Sequence, residues 1–198
     1  LRRLHHQRPA DREVRANLAW VASAVGLWER ENRNRVRAAA LFTESFAIAA
    51  GLVADQPHDF ESRRLTLQAL NDWLVIGDHQ IYASDWPERI LAACDALESA
   101  LGPKTASEDR RLLARCRVNA ALVFHSTDRA ALARPIAEGL RQVLEPELLT
   151  RPNDPDQLSV LNDAMTILGA RSAYIEFLRA TLARAPNAEH VRMALVLA

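Results

Sequence analysis

The chain has 198 residues, 49% of them hydrophobic, and its 25 Lys+Arg balance 25 Asp+Glu. That balance excludes a disordered polyelectrolyte, leaves enough apolar material for a core, and argues against nucleic acid or an anionic membrane as obligate partner. The longest nearly unbroken apolar stretch, Phe46 to Ala54, falls short of the roughly 20 residues that a membrane span needs.

Ala (35), Leu (28) and Arg (24) are strong helix formers, and no stretch alternates with the period of a strand, so the expectation is an all-α chain. Asp11 caps a first predicted helix with the stripe Val14, Leu18, Val21, Val25 and Trp28. The polar stretch Glu29 to Arg35 interrupts it. A second helix runs through Ala38, Leu41, Phe42, Ser45, Ile48 and Leu52 to Pro57. Asp59 caps a third, Phe60 to Ile76, stopped by Gly77-Asp78. Asp85-Trp86-Pro87-Glu88 reads as a capping box opening a fourth, which ends at Gly102-Pro103. Ser107 opens a fifth, fading near His125 to Asp128. Pro135 breaks or starts a sixth, which ends before Arg151. A seventh spans Asp156 to Leu168 and stops at Gly169, an eighth spans about Ser172 to Arg184, and Pro186-Asn187 begins a ninth.

Breaks containing Pro, at 57, 103, 152 and 186, alternate with Gly or polar breaks, the rhythm of repeated helical hairpins. Leu70-Asn71-Asp72, Val118-Asn119-Ala120 and Leu161-Asn162-Asp163 recur with their Asn residues 48 and 43 apart, and Ala22 occupies the equivalent place 49 before Asn71. Pro152 to Pro186 spans 34 residues and resembles a tetratricopeptide repeat. On that pattern Leu158 takes the large first-helix position, Leu161 the Leu, Met165 the aromatic, Gly169 the turn and Leu178 the second-helix aromatic. Asn162, Tyr174 and Thr181 depart from it, each standing where the family has a small residue.

The resemblance implies a right-handed α-solenoid of about nine helices over residues 1–198, a single helical-repeat domain. It also implies protein recognition without catalysis: first helices line a concave groove that holds a peptide or partner helix. Residues one after and three before the Asn marker face that groove, namely Gln68 and Asp72 in one repeat and Ser159 and Asp163 in another, with Thr166 a turn further on. Gln68, Asp72 and Asp163 are therefore expected to be exposed, and Leu161 and Met165 to be core. The family's Lys-based carboxylate clamp is not expected, since the one lysine, Lys104, falls in a loop.

Little in the chain suggests chemistry. The six His residues (His5, His6, His58, His79, His125, His190) show no metal-ligand spacing, and six glycines form no phosphate loop or nucleophile elbow. The acidic pairs Glu145/Glu147 and Asp154/Asp156 flank prolines in loops, poor places for a desolvated catalytic acid. No cofactor or metal is expected. Cys94 and Cys116 lie in helical patterns as structural thiols, which suits a cytoplasmic setting, and the excess of Arg over Lys suits a GC-rich bacterial genome.

The alternative is a regulatory helical module of a nucleic-acid-binding protein. Residues 1–37 carry a net +5 against −5 for the remainder, and Arg110, Arg111, Arg115 and Arg117 cluster on the fifth helix. The other use for that asymmetry is pairing between neighbouring repeats. Trp20, Trp28, Trp73 and Trp86 are expected to pack between helices, or one of them to anchor a partner. The segment Val191 to Ala198 is apolar nearly all round, so the sequence reads as an internal piece of a longer protein. That helix is also a candidate surface for self-association.

Overall fold

The computed structural model describes residues 10–74, 85–101 and 107–198. The described residues form nine α-helices and no strand: α1 (Arg12–Glu31), α2 (Arg35–Asp55), α3 (Phe60–Leu74), α4 (Trp86–Glu98), α5 (Ser107–His125), α6 (Ala130–Thr150), α7 (Pro155–Leu168), α8 (Arg171–Arg184) and α9 (Glu189–Leu197). The stops expected at Gly77-Asp78 and Gly102-Pro103, together with His5, His6, His79 and Lys104, lie outside the described residues. The chain divides into two compact units, Leu1–Asp109 and Arg110–Ala198.

Side-chain caps set four of the helix starts. The Asp11 carboxylate accepts from the Val14 amide, Asn34 from Arg37, Asp59 from Ser62 and Asp154 from Gln157, each satisfying an amide that the helix itself cannot. Gly169 ends α7 in the left-handed region, at φ 67°, where a side chain would be strained. Two readings change. Asp85 makes no capping bond, because its carboxylate is taken by Arg89 at 2.9 Å. Helix α6 opens at Ala130, a turn ahead of Pro135, and continues through both Pro135 and Pro146. Both prolines are exposed, as are Ala131 and Gln142, so water can reach the carbonyls that they leave without donors.

In the first unit α2 is the shared core helix, packed on α1 and α3, while α4 packs on α3. By length and composition α2 could cross a membrane, but its Ala38, Leu41, Phe42, Ala49 and Leu52 are buried within the unit. The buried face of α1 keeps Leu18 of the predicted stripe but departs from its C-terminal half. Val25 and Trp28 are exposed, and the helix turns in Leu18, Ala19, Ala22, Ser23, Gly26 and Glu29. Small side chains allow the close approach: the Phe42 ring fills the space beside Gly26, and the buried Ser45 hydroxyl donates to the Ala19 carbonyl at 2.8 Å. Glu29 is buried because Arg37 and Asn34, both at 3.0 Å, hold its carboxylate across the α1–α2 turn.

Trp73 and Trp86 do pack between helices. Their rings stack at 4.7 Å, Phe46 meets Trp86 edge-on at 5.3 Å, and Arg89 lies 5.5 Å from the Trp86 ring centre.

In the second unit α6 packs on α7, α7 on α8 and α9, and α8 on α9. Leu158, Leu161, Met165 and Leu178 are all core. Tyr174 and Thr181, the two large departures in α8, are buried and satisfied: the Tyr174 hydroxyl donates to the Leu158 carbonyl and Thr181 to that of Phe177. Cys94 and Cys116 are free and buried.

The ragged period of the sequence reappears as bonding. Arg12 pairs with Asp59 and Ser23 bonds to Asp72, 47 and 49 residues apart. Arg64 pairs with Asp109 and Arg111 with Asp154, 45 and 43 apart. Each of these bonds joins one predicted first helix, near its start or middle, to the next one in the chain.

Candidate partner-binding groove

Helices α1 and α3 run in the same direction, since Arg12 meets Asp59 and Ser62 at one end while Ser23 meets Asp72 further along both. Between them lies a groove of about 770 Å³. One wall is the α1 stripe Glu13, Asn17, Trp20, Ala24 and Leu27; the other is Glu61, Leu65 and Gln68 of α3. Ser23, Leu52 and Asp72 are buried in its floor. Trp20, 64% exposed, is an uncovered aromatic surface inside this concavity.

Gln68 and Asp72 are brought together here. The Gln68 amide donates to one Asp72 oxygen at 2.7 Å, and the Ser23 hydroxyl donates to the other. Asp72 is therefore not the exposed residue expected; it is 5% exposed, its charge held by hydrogen bonds in the floor. Gln68 is half-buried.

In the second unit Ser159 and Thr166 are exposed on α7 and line two neighbouring hollows of about 310 and 400 Å³, which share Asn162 and Tyr174. Asp163 lines neither hollow and is half-buried, not exposed as expected. Burial raises its carboxyl above the ordinary value, against a smaller opposing hydrogen bond from Asn162. Burial, helped by the Asp163 charge, pushes the Tyr174 phenol up to about 12.

The groove-wall residues that sequence reading missed are Glu13, Asn17, Ala24, Leu27, Glu61 and Leu65, while Trp20 was one of four tryptophans offered as a partner anchor. Asn17, Trp20, Ala24 and Leu27 do follow a helical spacing, but that line is hidden until the small-residue face of α1 is known to be buried. Among the described residues no three His, Cys, Asp or Glu side chains converge as metal ligands. No family model, characterised protein or solved structure matches this chain.

Part of each Arg-rich surface is paired within the chain. Arg12, Arg15 and Arg37 pair with Asp59, Asp55 and Glu29, and Arg111 and Arg115 with Asp154 and Asp156.

Proposed function

We propose that this chain is a non-catalytic helical-repeat interaction protein. Its hairpins would stack as a right-handed α-solenoid resembling tetratricopeptide repeats, and it would hold a protein segment against its first helices. The observation that carries this reading is the α1–α3 groove, where an exposed Trp20 stands over a floor whose polar groups are already satisfied. Such a surface offers contact area at little desolvation cost. The internal pairing of Arg12, Arg15, Arg37, Arg111 and Arg115 supports this reading over nucleic-acid binding, because those charges already have partners.

Photo-crosslinking tests it. A benzophenone amino acid replaces Ala24, exposed in the groove, or Leu132, exposed on α6, and each protein is irradiated in host lysate. The expected result is a discrete protein adduct at position 24 that is absent at 132 and lost when Trp20→Ala is added. Equal adducts at both positions would remove the groove from the account.

A further inference from the structure

The groove's dimensions and charges say more about what it takes, given the reading of it as a protein-binding site. The groove is lined on α1 from Arg12 to Leu27, fifteen residues of helix and a length of about 22 Å, so a volume of about 770 Å³ leaves a cross-section of roughly 35 Å². A helix with its side chains, about 10–12 Å across, presents about 80–110 Å² and could enter this open-sided space by one face only. An extended chain suits the groove better.

The charges are unevenly satisfied. Arg12 is held by Asp59 and Ser62, and Arg64 by Asp109 and Glu108. Asp72 is bonded to Ser23 and Gln68. Glu13 and Glu61 are exposed, stand in the first turns of α1 and α3, and have no ion-pair partner among the described residues. Trp20 lies seven residues, about 10 Å, along α1 from Glu13, with the exposed amide of Asn17 between them. An extended chain covers that distance in about three residues.

We infer that the α1–α3 groove binds an extended peptide segment carrying a basic residue about three positions from an apolar one. The cation sits between Glu13 and Glu61, and the apolar side chain lies on Trp20, Ala24, Leu27 and Leu65. The Asn17 amide, both donor and acceptor, serves the peptide backbone between them.

The test uses the full chain and capped, fluorescein-labelled Gly/Ser heptapeptides in a low-salt anisotropy titration. One peptide carries Arg and Leu three positions apart; one has Glu for Arg; one has Ser for Leu. The Arg/Leu peptide should bind roughly fivefold tighter than the Glu/Leu peptide, as two exposed ion pairs warrant, and the difference should shrink with added salt. Glu13→Gln with Glu61→Gln should abolish that difference while lowering the melting temperature by only a few degrees, the loss of two first-turn charges. Trp20→Ala should weaken the Arg/Leu and Glu/Leu peptides together. If Glu/Leu binds as well as Arg/Leu and Trp20→Ala still weakens both, the groove stands and the basic specificity is refuted. If no peptide binds up to about 1 mM, the inference fails, while the groove reading is judged separately by the crosslink at position 24.

Discussion

Gly26→Ala puts a methyl group into the close contact between α1 and Phe42 of α2. An added Cβ would stand 2.7 Å from Cε1, 2.9 Å from Cδ1 and 3.0 Å from Cζ of Phe42. The ring is fully buried and cannot swing into solvent. Replacing a mid-helix glycine ordinarily gains about 0.5–1 kcal/mol, whereas forcing a methyl group into a packed core costs about 1–3 kcal/mol. The expected net is a loss of up to about 2.5 kcal/mol. Gly139→Ala is the control: nothing lies within 4 Å of its added Cβ, so it should stabilise by about 0.5–1 kcal/mol. Phe42→Leu should relieve the clash, giving a coupling of at least about 1 kcal/mol in the double-mutant cycle with Gly26→Ala. Urea unfolding followed by circular dichroism measures all four proteins. A Gly26→Ala variant as stabilised as Gly139→Ala, or a cycle additive within about 0.3 kcal/mol, would refute the close packing of α1 on α2.

Leu161→Ala and Met165→Ala, at positions 0% and 1% exposed, should each cost about 2–5 kcal/mol in urea unfolding; a loss below about 1 kcal/mol at both would break the repeat register. Asp72→Ala strands the donors of Ser23 and Gln68 and should cost about 1–3 kcal/mol, against little change for the exposed Ser159→Ala, measured by thermal melting. The Tyr174 phenol, raised to about 12 when folded against about 10 unfolded, favours the folded state fully below pH about 10 and loses that advantage as pH rises towards 12. In a Tyr82→Phe background, absorbance titration should show no phenolate until near pH 12, and ionisation near pH 10 would contradict the buried site. Cys94 and Cys116 should react with a thiol reagent only once urea unfolds the chain.

Two helix starts and one stop were legible because they are local: Asp11 and Asp59 cap amides three residues away, and Gly169 needs no partner beyond its own turn. The core of α7 was legible because Leu158, Leu161 and Met165 are both apolar and spaced for one face. The face of α1 was not. Hydrophobicity pointed to Val25 and Trp28, but close approach to α2 selects for small size, and Ala22, Ser23 and Gly26 win the interface. The groove was half legible. Gln68 and Asp72 were placed on it by the repeat pattern, yet Asp72 is buried by its bond to Ser23, 49 residues earlier, which local pattern cannot show. Trp20 faces the groove because the rest of α1 is turned inward.

A protein segment held between α1 and α3 would shield both helices from solvent. Hydrogen exchange read by mass spectrometry tests it most directly, using the full chain with and without the partner segment recovered from the position-24 adduct. The account predicts slowed exchange confined to residues 12–31 and 60–74, with α2 unchanged behind them. Protection in α2 or α4, with α1 and α3 exchanging as in the free chain, would contradict it.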